Sequence, residues 1–261
     1  MPVAPIRIFP TPDAGADYVA ERALSRVAAA EGAGRTFRLG FPTGRSPRPV
    51  LDAMVACLTR QPQSLAHVTV VLMDEYLVPG EAGLRYASAD APWSCHYFGR
   101  VEIVGRLNAV LPTEFRLAPD CLWCPLPDDP AEYDGRLANA GGIDLFLLAS
   151  GGNDGHVAFN PPGSARNSRT RIIPLPEAMR RDNLASFPVF GTLDNVPHHA
   201  VSSGIATIAD SHEAIMLAWG NGKRETVARM RAASGYERDW PATLIHEVGR
   251  GEIVVDEAAA G

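Results

Sequence analysis

The sequence predicts an α/β fold in which one mostly parallel sheet carries helices on both faces. Short apolar runs alternate with amphipathic stretches of helical period. Those runs end in loops that contain Gly, Asp or Asn. Strand, loop and helix then recur in that order, as parallel pairing requires, because each strand must be carried back by a crossover.

Ile6–Phe9 reads as a short first strand. Asp13–Ala30 follows as a helix, with Val19, Leu24, Val27 and Ala28 near one face. Thr36–Leu39 is the next strand, and Pro49–Leu58 is a helix carrying Val50, Leu51, Met54 and Val55. Val68–Met73 is β-branched and uncharged, the pattern of a strand buried on both faces. Ile143–Ala149 and Ala214–Trp219 are two further strands, and Arg224–Ala233 follows the last as a helix. Pro79–Ala91 and Arg116–Asp134 are rich in Pro, Gly, Ala and Asp and read as long loops or lids. No internal repeat appears, so residues 1–261 read as a single domain.

The 261 residues are 46% hydrophobic and 21% charged, an ordinary globular balance. With 24 Lys+Arg against 30 Asp+Glu the net charge is -6, which argues against a nucleic-acid partner bound by phosphate neutralisation. No run of about 18 apolar residues exists, so no membrane span is expected. Met1–Arg7 lacks the basic head and apolar run of a signal peptide, which points to the cytoplasm. A homo-oligomer is left open. Cys121 and Cys124 have CxxC spacing, but no second pair completes a zinc site, and the prolines around them suit a loop better than a redox helix. No metal is therefore expected. Among the basic residues Lys223 is the sole lysine. Where arginine has replaced every other lysine, the survivor suits a compact point charge on a phosphate or carboxylate.

In open α/β sheets ligands bind beyond the carboxyl ends of the strands, so the loops there carry the candidate chemistry. Pro42-Thr43-Gly44-Arg45-Ser46-Pro47 offers hydroxyls, a glycine and the start of a helix, a combination suited to phosphate. It lacks the spacing of a Walker A loop. Asp74 and Glu75 emerge from the most apolar strand, where a carboxylate is costly unless used or paired, and one of them could serve as a general base. Gly151-Gly152-Asn153-Asp154-Gly155-His156 sets an Asp and a His in a glycine-rich turn, with Gly152 open to backbone contact with a small ligand. Lys223 stands at a helix start, where its charge opposes the helix dipole unless an anion is bound.

In this order the motifs resemble the glucosamine-6-phosphate deaminase and 6-phosphogluconolactonase superfamily, from about Phe37 to Ala259. The resemblance lies in Gly40–Pro47, Met73–Tyr76, Asp144–Phe159, Ser168–Arg171, Gly204–Asp210, Gly220–Lys223 and the ending Val254–Ala259. Met-Asp-Glu-Tyr, Asp-Gly-His-Val-Ala-Phe-Asn and Ser-Arg-Thr-Arg look like the deaminase branch. The resemblance implies a modified Rossmann-like sheet, a sugar 6-phosphate as the small-molecule partner, and no cofactor. It implies Asp74 as the ionised base that moves a proton between C2 and C1, His156 as the ring-opening residue and Asp154 as its orienting neighbour. Thr43, Gly44, Arg45, Ser46 and Lys223 match the phosphate cradle.

Two positions depart from the deaminase pattern. Pro161 stands where the deaminases carry a Glu that holds the His, so His156 must be held by Asp154 or by a backbone carbonyl of the turn. Asp182-Asn183-Leu184-Ala185 stands where they carry a phosphate-binding Arg, with Arg180 and Arg181 as the arginines nearby. These departures keep two alternatives open: a hydrolase of a sugar-phosphate lactone, and a relative that binds sugar phosphate without catalysis.

Overall fold

A computed structural model describes residues 3–81 and 83–261. Its strands, in chain order, are β1 (Ile6–Phe9), β2 (Phe37–Phe41), β3 (Val68–Leu72), β4 (Asp74–Gly80), β5 (Gly83–Tyr86), β6 (Leu122–Trp123), β7 (Leu145–Ala149), β8 (Arg171–Pro174), β9 (His199–Ser202), β10 (Ala214–Ala218) and β11 (Gly251–Asp256). Seven of them form one sheet in the order β1-β11-β10-β7-β2-β3-β6. Every pairing in it is parallel. The four strands read from aliphatic runs, β2, β3, β7 and β10, are contiguous at its centre.

Alternation along these strands divides the core in two. Leu39, Val70, Leu145, Leu147, Ile215 and Leu217 face the helices Pro12–Gly32 and Arg48–Arg60. Val71, Phe146, Leu148, Met216 and Ile253 face the other way. There they meet Tyr133 and Leu137 of the helix Pro130–Asn139, and Val227 and Met230 of Arg224–Ala232. Helices thus cover both faces, which is why β3, β7 and β10 carry no charged residue and β2 has a single one, Arg38, near its amino end.

A second sheet, absent from the sequence reading, is antiparallel in the order β5-β4-β9-β8. Asp74–Tyr76, read as a loop, opens β4, so the chain passes from one sheet to the other at Met73. Pro79–Ala91 is not one long loop: it holds the end of β4 and the edge strand β5. Pro and Gly are tolerated at such an edge and erase the period that would reveal it. Arg116–Asp134 likewise contains β6, which pairs with β3 at the sheet edge. It also contains the start of the helix Pro130–Asn139, whose cap Asp129 accepts from Glu132 N at 3.0 Å. Among the described residues no helix is long and apolar enough to cross a membrane.

Candidate active site

The strand order decides where the site lies. Chain connections run outward in one direction from β2 to β3 and in the other from β7 to β10, so a crevice opens beyond their carboxyl ends. A cavity of about 710 Å³ occupies it. Thr43, Gly44, Arg45, Ser46, Asp74, Gly152, His156 and Lys223 all line it, although they come from three loops and the start of β4. Asp154 does not line it: its Oδ1 lies 2.7 Å from His156 Nδ1, behind the imidazole.

Asp74 is the most perturbed acid of the cavity. Desolvation by burial is the main cause and pushes its carboxyl up to about 7. The neighbouring Glu75 charge adds to this, and a hydrogen bond from Cys95 opposes it. Near neutral pH the group is therefore divided between acid and base and is not ionised throughout, as the sequence reading had it. Cys95 Sγ lies 3.3 Å from Asp74 Oδ1, and Oδ2 has no hydrogen-bond partner among the described residues.

Glu75 turns away from the cavity and serves the fold. It accepts from Ser94 Oγ at 2.7 Å, Cys95 N at 3.1 Å and His96 N at 2.7 Å, and lies 2.9 Å from His96 Nδ1. A fully buried carboxylate is here satisfied by a helix start, the Cys95–Tyr97 turn that runs on through the π-helical Phe98–Gly105. Of the two adjacent carboxylates, only Asp74 is left for chemistry.

His156 is oriented without the family's Glu. The Asp154 carboxylate takes up both its Nδ1 and, at 3.1 Å, its backbone N. Burial acts to raise Asp154, but the hydrogen bonds and charge of His156 outweigh it and hold the carboxyl below its usual range. An ionised Asp154 accepts from Nδ1–H, which leaves Nε2 as the ring nitrogen free for a ligand. Pro161 takes no part: its carbonyl accepts from Ser164 Oγ at 2.7 Å. The turn also needs its glycines. A Cβ on Gly151 would collide with Asp154 Oδ1 and His156 Nδ1, and one on Gly152 with Gly222 O. The second contact is what seats the Lys223 loop against the His156 turn.

Lys223 Nζ donates to Ser150 O. Desolvation by burial, followed by the charge of Arg45, lowers its ammonium, while Asp182 and Asp154 act to raise it. Two cations thus share one end of the cavity, at a cost that a bound anion would offset. Trp219 Nε1 donates to Ser46 O at 2.9 Å and fixes the Thr43–Ser46 loop there. The helix Arg48–Arg60 that follows has no side-chain cap. Asp182 and Asn183 line the cavity as well, but no arginine replaces the one the deaminases have there. Arg180 is buried and donates to Val196 O at 3.2 Å and to Leu193 O, and Arg181 pairs with Glu177 on the surface. Ser168–Arg171 acts as a brace: Thr170 N and Oγ1 donate to Asp134 at 2.9 and 2.8 Å. Asn160 Nδ2 likewise donates to Ser203 O at 2.7 Å.

Known proteins with this arrangement identify the family. The model of the family described as glucosamine-6-phosphate isomerases/6-phosphogluconolactonase matches residues 10–255. The chain belongs to that family. It is similar to a glucosamine-6-phosphate deaminase of Rhodococcus opacus, 36% identical over 224 residues, which are 85% of this chain and 80% of that protein. A glucosamine-6-phosphate isomerase of Candida albicans is 31% identical over 256 residues, 97% of this chain and 96% of that one. The solved structure of a monomeric glucosamine-6-phosphate deaminase superposes with a TM-score of 0.82 at 25% identity, covering 98% of both chains. A 6-phosphogluconolactonase of Trypanosoma brucei shares the fold at a TM-score of 0.65 and 18% identity, over 100% of this chain and 98% of that one.

Cys95, Trp219 and Asp182 were not singled out from the sequence as site residues. Cys95 gave no signal, because only the docking of the Ser94–His96 helix start on Glu75 brings it to Asp74. Among the described residues no cluster of three or more His, Cys, Asp or Glu could hold a metal ion, and Cys121 and Cys124 are free thiols flanking β6. A second cavity, of about 490 Å³, lies at the opposite, amino ends of the strands. Its Arg26 and Arg35 are paired with Glu213 and Asp144.

Proposed function

We propose that the protein converts glucosamine 6-phosphate and water to fructose 6-phosphate and ammonia. One observation carries this reading: a poised carboxylate, Asp74, and an oriented imidazole, His156, line the same cavity as the cation pair Arg45 and Lys223. Phosphate bound between Lys223 and the Thr43–Ser46 loop sets the register of the sugar. His156 Nε2 takes the proton from O1 of the closed ring and, as the C1–O5 bond breaks, passes it to O5, leaving an aldehyde at C1. Asp74 then removes the proton from C2 and returns it to C1, one amine proton passes to O1, and the C2 amine becomes an imine that water hydrolyses to a ketone with loss of ammonia. A base titrating near 7 suits both halves of this shuttle, because it can accept and give back the same proton. Asp154 stabilises the imidazolium formed in the first step.

A lactone hydrolase is the second reading, favoured by Pro161 at the position of the deaminase Glu. The two readings part at Asp74. Asp74→Asn should lower ammonia release at least about 100-fold and leave KM nearly unchanged, the effect of losing a base while keeping the binding contacts. Lactone opening, with His156 activating water, would suffer more from His156→Ala. A coupled assay of both variants, scoring ammonia and lactone opening separately, decides. Near-wild-type ammonia release by Asp74→Asn would end the deaminase mechanism.

A further inference from the structure

We propose that Cys95 is a positioning residue of this site: its thiol fixes one oxygen of Asp74 and ties it to Thr43 of the substrate loop. The proposal rests on the reading above only in taking Asp74 as the base.

Cys95 is 2% exposed and does not line the cavity, so it meets Asp74 from the protein side. Its Sγ stands 3.3 Å from Asp74 Oδ1 and 3.4 Å from Thr43 Oγ1. A thiol has one hydrogen. With that hydrogen on the carboxylate, the Thr43 hydroxyl donates to the sulfur and keeps its own lone pairs for donors arriving in the cavity. Thr43, Cys95 and Asp74 thus form one chain that links the loop after β2 to the start of β4. It occupies Oδ1 and leaves Oδ2 to handle the substrate proton.

The sulfur is not free to drift. Glu75, bonded in sequence to Asp74, accepts from the backbone N of Cys95 at 3.1 Å and of His96 at 2.7 Å, so one clamp sets both ends of the contact. Burial, with the charges of Asp74 and Glu75 behind it, raises the Cys95 thiol well above its ordinary value. It therefore remains a neutral donor and does not become a nucleophile. A neutral donor on a buried carboxylate stabilises its charged form. Without the thiol, Asp74 should hold its proton to higher pH.

The test is the pH profile of kcat/KM for glucosamine 6-phosphate in the wild type, Cys95→Ala and Cys95→Ser. Cys95→Ala should move the acid limb to higher pH, costing about three- to tenfold below pH 7 with little change on the alkaline plateau. Cys95→Ser keeps a donor, and its limb should stay at or below that of the wild type. A carbon-13 NMR titration of the Asp74 carboxyl should show the same displacement without any substrate, and thermal melting shows whether each variant is folded. A loss in Cys95→Ala that is equal at every pH, or an unmoved Asp74 titration, would reduce Cys95 to packing and overturn the proposal. Asp74→Asn assayed alongside separates the two levels. If it keeps turning over, the deaminase reading fails; if it is dead while Cys95→Ala titrates like the wild type, only the role of the thiol fails.

Discussion

Asp74 is held in a state that a free carboxyl avoids, and the fold bears the cost. Its ordinary value is 3.8, and burial moves it to about 7. Below pH 4 the folded and unfolded chains both carry the proton, so nothing is lost. Between pH 4 and pH 7 the unfolded chain releases the proton while the folded one keeps it, and stability falls as pH rises. Above pH 7 the penalty is complete, at most about 4 kcal/mol for a shift of this size. Asp74→Asn removes the titration and should be more stable than the wild type, by a margin that is small near pH 4 and largest at pH 8. Urea unfolding at the two pH values measures it, and equal margins would mean that burial of the charge is not the cause. Such instability at a group poised for chemistry is the familiar conflict between stability and activity.

At the scale of elements, two loops far apart in sequence become one site because their backbones touch. Gly152 packs on Gly222 with no room for a side chain, and this seats Lys223 beside Ser150 O. Gly152→Ala must push the Gly220–Lys223 loop outward. The expected result is a KM for the phosphorylated substrate raised about tenfold or more, the value of a charge-assisted contact, with a stability loss of about 1–3 kcal/mol from overpacking. Steady-state kinetics and melting curves check both. An unchanged KM would place the phosphate elsewhere than at Lys223. The β4–β9 pairing does similar work for the carboxylate, since Asp74 opposite Ser202 fixes the direction in which it leaves the main sheet.

Over the whole molecule, chemistry and cohesion occupy opposite ends of the parallel sheet. At the amino ends of the strands, Glu213 and Glu252 are buried before and within β10 and β11. Arg22 of the helix Pro12–Gly32 bridges both, with Arg26 on Glu213 and Arg7 on Glu252. Arg22→Ala leaves two buried carboxylates short of a partner and should cost about 3 kcal/mol or more. Because the network lies at the far end of the strands, kcat and KM measured below the melting range should be unchanged. Parallel loss of activity in a variant that is still folded would show that the two ends are coupled.

The sequence by itself determined the central sheet and the loops that line the cavity. Uncharged runs such as Val68–Leu72 can be stable only between two helical layers, and the loops that follow such strands lie at one edge by topology. That Asp74, His156, Lys223 and Thr43–Ser46 share one cavity was legible for that reason, and the family motifs pointed to the same residues. Only the tertiary structure decided three things. It showed that β4, β5, β8 and β9 form a second sheet, which the sequence hides because three of these strands are only four residues long and Pro or Gly in β4, β5 and β8 breaks the period-two pattern. It divided Asp74 from Glu75, which are alike in sequence, by giving one a cavity and the other a helix start. And it brought Cys95 to Asp74, because an orienting contact depends on where two backbones meet in space, which no local pattern of residues records; of the two holders the sequence offered for His156, it chose Asp154.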